Sequence, residues 1–281
     1  MRIALFTLEA APSEEAVARF LDRHGGEVVL IGRSDPFRPA AGGALRQGWR
    51  HLRRSGPRLL PFLWINYALP GLRPGPTRLA RIAAARGIPL HAVRDVNGPE
   101  TAAAIRAARP DLILSCHFDQ IFAAETLALA PLGGINLHPS LLPRHRGPVP
   151  TIWALAEETP RFGVSVHRLV PRIDAGGILA QREVPLPPGT TASAAARALH
   201  LAGLPLLAEV LARLGRGPVD EIVPAPLPYC PFPPPALLRG LARRGRRLVD
   251  AGDLRAALGH GLEAGSSPSA ADINHPARRF G

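Results

Sequence analysis

Short apolar runs alternate with segments of helical spacing along most of the chain, and this alternation constrains the fold more than any other feature. Residues 2–8 have the composition of a buried strand, residues 13–24 carry apolar side chains at helical spacing, and residues 27–32 form a second strand-like run. The same order is predicted further on: helix 76–86, strand 88–93, helix 99–108, strand 111–116, a loop entering a helix at 118–130, strand 134–138, helix 151–158, strands 163–169 and 178–184, and helix 191–214. This predicts an α/β fold in which a mostly parallel sheet is covered by helices on both faces.

Residues 33–75 interrupt the alternation and are predicted to be an insertion. Their first half places four arginines beside Trp49, and their second half is an apolar run over 59–72 that Pro61 and Pro70 break. That run is shorter than the roughly 20 apolar residues of a membrane-spanning helix. We interpret it as a buried insertion or core helix; the alternative is a basic, aromatic-bearing face that lies on anionic lipid.

The chain of 281 residues is long enough for one large core with an appendage. We predict a catalytic domain over residues 1–214 and an extension over 215–281. The extension is Pro-rich over 224–235, Arg-rich and helical over 237–258, and disordered over 265–281.

Charge and cysteine content exclude several classes of protein. The formal net charge is +12, and all 34 basic residues are arginine. Without lysine there is neither a Schiff-base nucleophile nor a P-loop lysine. Because the arginines are scattered, we expect no specific nucleic-acid partner, although weak association with an anionic membrane surface stays open. Two distant cysteines argue against a disulfide framework or a zinc site, and the short apolar start predicts a cytoplasmic protein.

Three polar groups stand where apolar strands end. Asn136 and His138 close the strand-like run 134–138, and Asp174 follows the run 163–169 in the sequence Ile-Asp-Ala-Gly-Gly. Side chains two apart on a strand share a side, so Asn136 and His138 can face one cleft at the carboxyl edge of the sheet. The glycines after Asp174 permit a tight loop that returns the acid to that edge.

An amide, an imidazole and a carboxylate suit the transfer of an acyl group to an amine. Asn136 can donate a hydrogen bond to the carbonyl oxygen as it becomes negative, and His138 can relay the amine's proton. A nearby Asp174 is expected to raise the pKa of the imidazole and to orient it. Taken alone, each residue also has an ordinary explanation as a turn residue, a packed histidine or an Asx-turn.

A longer motif carries a family resemblance. It comprises the string from Asn136 to Gly147, the sequence Pro-Thr-Ile-Trp-Ala-Leu over 150–155, Gly-Val-Ser-Val-His over 163–167, and residues 173–181. These residues resemble the formyltransferases that use 10-formyltetrahydrofolate, a family that includes the glycinamide ribonucleotide, methionyl-tRNA and amino-sugar formyltransferases. The resemblance is dense from about residue 81 to 214 and thin elsewhere.

The resemblance implies a Rossmann-like catalytic domain in which Asn136, His138 and Asp174 move a formyl group from N10 of the folate to a primary amine. It also implies a pterin pocket, walled by Gln120, Ile121 and Phe122 largely through their backbones and by the loop 171–175. The predicted donor-binding residues are Phe118, Gln120, Ile121, Phe122, Arg172 and Ile173. Ordinary core packing is the alternative for the two phenylalanines.

Departures from the family patterns narrow the expected acceptor. Residues 9–13 are Glu-Ala-Ala-Pro-Ser, where glycinamide ribonucleotide enzymes have a Gly- and Ser-rich phosphate loop, so a ribosyl phosphate is not expected. The residues after 214 show little strand alternation, unlike the β-barrel domain of methionyl-tRNA formyltransferase. We therefore expect a small amine as acceptor, with an amino sugar in nucleotide- or lipid-linked form as the leading candidate. Arg144, Arg146 and Arg168 are the predicted acceptor ligands, with solvated surface arginines as the alternative.

Three other functions stay open at this point. A hydrolase with a bound metal could use His138, His145, His167, Asp174 and the pair Cys116 and His117 as ligands. Their spacing matches no compact ligand motif, so we predict no metal. Hydrolysis of formyltetrahydrofolate needs only water in place of the amine. A basic membrane-surface or RNA adaptor on a formyltransferase scaffold is the non-enzymatic alternative.

Overall fold

A seven-stranded sheet forms the centre of the molecule. The computed structural model describes residues 1–35, 42–225 and 227–259. The strands are β1 (Ile3–Leu8), β2 (Val28–Ser34), β3 (Leu90–Val93), β4 (Leu112–Cys116), β5 (Gly134–His138), β6 (Gly163–Arg168) and β7 (Ile178–Glu183). Their order is β3-β2-β1-β4-β5-β6-β7; the first five pair in parallel, and β6 pairs antiparallel with both β5 and β7. The predicted mostly parallel sheet is confirmed.

The helices cover both faces of this sheet, as predicted. They are α1 (Glu14–His24), α2 (Gly43–Ser55), α3 (Leu60–Leu63), α4 (Arg78–Ala85), α5 (Pro99–Ala108), α6 (Ala124–Leu127), α7 (Pro150–Ala156), α8 (Ala192–Leu214), α9 (Pro235–Arg243) and α10 (Ala251–Ala257). Alternate residues of β1 show the two layers: Ile3 and Leu5 belong to a core with α1 and α8, whereas Ala4 and Phe6 belong to one with α5 and α6.

The long apolar helix α8 is a core element. Among the helices in the described part of the chain, it alone has the length and hydropathy of a membrane span. It packs on β5, β6 and β7, and side chains such as Leu199 and Val210 are fully buried there. Its hydropathy is accounted for by this position under the sheet.

The apolar run 59–72 is a chain of short helical turns rather than one helix. A 3-10 turn (Pro57–Leu59) leads into α3, followed by a π-helical turn (Trp64–Ala68) and a second 3-10 turn (Leu69–Leu72). Prolines start three of these pieces, because proline lacks the N–H that a continuous helix needs. The inward side chains Leu59, Phe62, Ile65 and Leu69 are buried, which confirms the buried insertion.

The extension packs against the main fold through two helices with a break between them. The segment 237–258, predicted to be helical, is divided into two helices: α9 ends at Arg243, Gly245 takes a φ of +66°, and Asp250 begins α10 with a capping box. Main-chain bonds from Ala192 and Ser193 to Arg247 and Leu248 hold the break against the start of α8. The predicted disordered tail, 265–281, lies outside the described residues.

Candidate active site

The three predicted polar groups meet at the carboxyl end of β5. Asn136 and His138 face a cleft of about 380 Å³, and the loop after β6 brings Asp174 over the strand ends. The Oδ1 atom of Asp174 lies 3.7 Å from Nδ1 of His138 and 3.6 Å from Nε2 of His167. The amide nitrogen of Asn136 lies 3.1 Å from Nε2 of His167. The side chains that the sequence placed together are therefore together, with His167 as a fourth member.

His167 fixes the orientation of the Asn136 amide. Its Nδ1 lies 2.8 Å from the carbonyl oxygen of Arg168, which can only accept, so Nδ1 carries the proton. The lone pair on Nε2 then accepts one N–H of Asn136. The second N–H of that amide is left for a ligand in the cleft. Sequence reasoning treated His167 only as part of a motif or as a metal ligand, although the pairing of β5 with β6 sets it directly opposite Asn136.

The loop that carries Asp174 is held by Arg146. The guanidinium donates to the carbonyl oxygens of Ile173, Asp174 and Leu227 at 2.6 to 3.1 Å, and the side chain is only 3% exposed. The amide of Gly147 donates to Oδ2 of Asp174 at 2.9 Å. A Cβ at Gly147 would lie 2.1 Å from the carbonyl oxygen of Cys230, so only glycine fits there. Arg146 thus holds the loop through its main-chain carbonyls, and the Gly147 amide holds the carboxylate of Asp174.

Burial and neighbouring charges shift the pKa values of His138 and Asp174 in opposite directions. Burial lowers the pKa of His138 below its usual range, and the attraction of Asp174 only partly offsets this. Asp174 does raise the pKa of the imidazole, as expected, but desolvation outweighs the carboxylate and the net shift is downward. For Asp174, burial alone would raise the pKa, but His138, His167 and the Gly147 amide lower it to about 2. At pH 7 the site holds a carboxylate beside a neutral imidazole.

The tautomer of His138 follows from its two neighbours. Its Nε2 is 3.5 Å from the carbonyl oxygen of His145, too far for a firm hydrogen bond. The carboxylate of Asp174 favours the proton on Nδ1, which leaves the lone pair of Nε2 as the basic atom.

The imidazole of His138 should titrate below pH 6.5, because its pKa is lowered by burial. In Asp174→Asn the midpoint should fall further, since the carboxylate is the main group that raises it. Two-dimensional NMR of the imidazole carbons, assigned with His138→Gln, measures both midpoints. A wild-type midpoint above 6.5, or an upward shift in Asp174→Asn, contradicts this electrostatic account.

Replacing Arg146 by methionine should lower the free energy of unfolding by about 3 kcal/mol, because buried carbonyl groups lose their donors. Arg144→Met is the matched control: Arg144 is 39% exposed and pairs with Glu157, so its loss should be within about 1 kcal/mol. Urea unfolding of the two variants makes the comparison. Equal losses would show that Arg146 has no special structural role.

The predicted donor-binding residues all line the cleft. They are Phe118, Gln120, Ile121, Phe122, Arg172 and Ile173. The side chain of Gln120 is engaged with Val96, Val93 and Ser34, so it offers its backbone to the cleft, as the resemblance implies. Phe122 is 2% exposed and meets Phe6 and Phe118 edge-on or tilted, so core packing accounts for most of its surface. Their role in binding a folate stays a prediction.

The three predicted acceptor arginines do not line the cleft. The guanidinium of Arg146 donates to main-chain carbonyls, so it is not available to bind an acceptor. Its role is to hold the loop, which replaces the predicted role in acceptor binding. Arg144 pairs with Glu157. Arg168 donates to the carbonyl of Leu132 and lies 3.8 Å from Glu221. For Arg144 and Arg168 the role in acceptor binding stays a prediction that this geometry does not favour.

A second pair of histidines lies beside the catalytic groups; the sequence pointed to His117 only as a possible metal ligand and did not point to His200. His117 and His200 line the cleft with ring centroids 5.3 Å apart, and Ser13 and Tyr67 contact His117 at 2.8 and 3.4 Å. Burial lowers the pKa of His117 to about 3 and that of His200 to about 4, so both are neutral at pH 7. Their convergence depends on the distance between α8 and β4, which no local pattern reveals.

The geometry does not favour a metal centre. Among the described residues, no group of three or more histidine, cysteine or acidic side chains is arranged to hold an ion. His145 contacts Glu157 at 3.0 Å instead of the cleft, and burial raises the pKa of Cys116 to about 12. Of the residues named for the metal alternative, His145 and Cys116 therefore lie apart from His138, His167 and Asp174.

Comparison with known proteins identifies a formyl transferase domain within the chain. A formyl transferase family model matches residues 80–211, which contain Asn136, His138 and Asp174. A sugar N-formyltransferase from Shewanella sp FDAARGOS_354 has a TM-score of 0.54 at 19% identity, covering 93% of this chain and 90% of that one. Glycinamide ribonucleotide transformylase 1 from Symbiobacterium toebii has a TM-score of 0.53 at 19% identity, covering 80% and 94%.

A third solved structure, WlaRD, is described as a sugar 3N-formyl transferase in the presence of dTDP and 5-N-formyl-THF. Its TM-score is 0.53 at 14% identity, and the match covers 82% of this chain and 69% of that one. At such identities these structures show a shared fold only. The assignment of a formyl transferase domain rests on the family model. Residues 80–211 are a formyl transferase domain.

Proposed function

We propose that this chain is a cytoplasmic N-formyltransferase that moves a formyl group from 10-formyltetrahydrofolate to the primary amine of a small acceptor, an amino sugar in nucleotide- or lipid-linked form. The observation that carries the proposal is the convergence of an amide donor, a neutral imidazole and a carboxylate in one cleft. The same residues lie inside the matched formyl transferase domain.

The cleft suits a folate donor in size and lining. Its volume of about 380 Å³ lies in the range of small-molecule sites, and Phe118 with the backbone of 120–122 provides a surface for a flat ring. WlaRD, of the same fold, is described with 5-N-formyl-THF present, which supports a folate for this chain too.

The side chains divide the reaction between them. As the amine nitrogen bonds to the formyl carbon, the free N–H of Asn136 donates to the oxygen that gains negative charge. Nε2 of His138 accepts the proton that the amine loses, and Asp174 stabilises the resulting imidazolium. When the carbonyl re-forms and the carbon–N10 bond breaks, His138 returns the proton to N10. The products are the formamide and tetrahydrofolate.

The loop after β1 supports a sugar over a ribosyl phosphate as acceptor. The amides of Ala11, Ser13 and Glu14 already donate to carbonyl oxygens of the protein, so they are not free to bind phosphate. Glu9 adds a negative charge nearby, paired with Arg33. This agrees with the likeness to sugar N-formyltransferases, although the fold alone fits the glycinamide ribonucleotide enzyme equally well.

A panel of primary amines tests the proposal. The protein is incubated with 10-formyltetrahydrofolate and with nucleotide-linked, glycosidic and free amino sugars, and tetrahydrofolate release is followed. We expect release that requires an amino sugar. Release at the same rate without any amine would indicate a hydrolase, and no release with any member of the panel would contradict the proposal.

A further inference from the structure

A second and larger cavity lies next to the catalytic cleft. Its volume is about 1010 Å³, and the loop after β1, the insertion and α4 form its walls. Tyr67, His117, Phe118, Pro148 and Phe232 line both spaces, so the cavity and the cleft share one wall. A ligand in the cavity can therefore present a group to the catalytic residues.

The part of the wall that residues 60–72 of the insertion contribute is mostly apolar. Leu60, Leu63, Trp64, Pro70 and Leu72 line it, with Leu79 of α4 opposite. Trp64 is 50% exposed and Leu72 is 69% exposed, so the apolar lining continues to the surface at the cavity mouth. Large apolar side chains left accessible around a cavity are typical of a site for an apolar ligand.

The positive charges around the cavity are already engaged. Arg73 donates to both carboxylate oxygens of Glu14 at 2.7 and 2.8 Å and to the carbonyl of Ala257. Arg78 pairs with Glu15 at 2.5 Å.

The remaining two arginines of the lining are engaged as well. Arg33 pairs with Glu9 at 3.0 Å, and Arg81 donates to the carbonyl of Pro76. A diphosphate prefers open arginine forks, and the acids beside three of these four arginines repel it. The lining thus favours a neutral ligand over a nucleotide diphosphate.

Two buried polar atoms border the cavity without a partner. Nε2 of Gln47 and Nδ1 of His51 have no hydrogen-bond partner within the described part of the chain, and both residues line the cavity. Burial lowers the pKa of His51, with Arg50 and Arg54 adding to the effect, so its ring is neutral at pH 7. These atoms offer hydrogen bonds to a hydroxyl or ether oxygen of an uncharged ligand.

We propose that the acceptor is an amphiphile: an amino sugar joined to an alkyl or polyprenyl chain that occupies this cavity. This inference rests on the proposed formyl transfer and names its substrate class. The amine reaches the cleft past the shared wall, the sugar meets the unpartnered polar atoms, and the chain lies against the insertion and leaves at Trp64 and Leu72.

A pair of glycosides that differ only in the alkyl group tests this class. Methyl and octyl glycosides of one amino sugar are compared below the micelle concentration. Binding is measured by calorimetry with their N-acetylated forms, which cannot be formylated, and transfer is measured with the free amines. Since each buried methylene contributes about a fourfold gain in affinity, the octyl compound should bind at least 50-fold more tightly.

The insertion offers matched controls for that experiment. Trp64→Ala and Leu72→Glu change the cavity lining, whereas Trp49→Ala and Leu45→Glu change side chains that are 60% and 91% exposed and do not line the cavity. The first pair should lose at least tenfold of the octyl preference, and the second pair should keep it. Equal binding of the two glycosides, or equal loss in both pairs of variants, overturns the assignment.

Failure of the inference and failure of the proposed function give different results. If both glycosides are formylated equally and bind equally, the proposed formyl transfer is supported and the proposed amphiphilic acceptor is contradicted. If the octyl compound binds through Trp64 and Leu72 but no amine is formylated, an apolar ligand for the cavity is supported and the proposed formyl transfer is contradicted.

Discussion

Asp174→Asn should lower kcat for formyl transfer by about a thousandfold, within the range that positioned acid–base groups contribute. The substitution keeps the size of the side chain but removes the charge that stabilises protonated His138, 3.7 Å away. It also alters the bond from the Gly147 amide, to which an amide oxygen is a weaker acceptor than a carboxylate. Single-turnover kinetics at saturating donor and acceptor isolate the chemical step.

The matched control is Asp253→Asn. Asp253 is even more deeply buried, accepts from Thr191 and Arg197, and does not line the cleft. Its variant should lose stability but keep kcat within about threefold of wild type at permissive temperature, since no group it contacts enters the chemistry. If Asp174→Asn keeps kcat to the same degree, the carboxylate takes no part in the reaction.

Asn136→Ala should lower kcat by about a hundred- to a thousandfold, the effect of losing one donor to a developing oxyanion. The effect should appear in kcat more than in donor affinity, because the free N–H serves the oxygen only as it becomes negative. Measuring kcat and KM separately for the donor distinguishes the two.

A buried asparagine elsewhere controls for loss of folding. Asn66 is fully buried and donates to the carbonyl of Phe62 and to Ser193, but it does not line the cleft. Asn66→Ala should destabilise the insertion and leave kcat within a few fold. Equal kinetic losses in the two variants would mean that Asn136 acts only through the fold.

Local patterns predicted the parts of the site that belong to single strands. The run 134–138 has the composition of a buried strand and is β5 with those bounds, so the common side of Asn136 and His138 followed from strand alternation. The return of Asp174 followed from the glycines after it, and the loop there does bring the acid to the strand ends.

The parts that sequence reasoning missed depend on contacts distant along the chain. Arg146 looked like an exposed ligand for an anion, but its partners are the carbonyls of Ile173, Asp174 and Leu227, which no spacing reveals. The sign of the pKa shift of His138 required the extent of burial as well as the position of Asp174. The composition of the insertion predicted its burial but not the cavity beside it, since that space lies between the insertion and the loop after β1.

The central claim is that the amide, imidazole and carboxylate of this cleft transfer a formyl group from a folate to an amine. The most direct measurement uses 10-formyltetrahydrofolate labelled with ¹³C in the formyl group and follows the label by NMR and mass spectrometry. In wild type the label should appear as a formamide on the amino-sugar nitrogen, with tetrahydrofolate released in equal amount, and Asn136→Ala and Asp174→Asn should slow its appearance. Label that appears only as formate, or that reaches the amine at the same rate in all three proteins, would contradict the account.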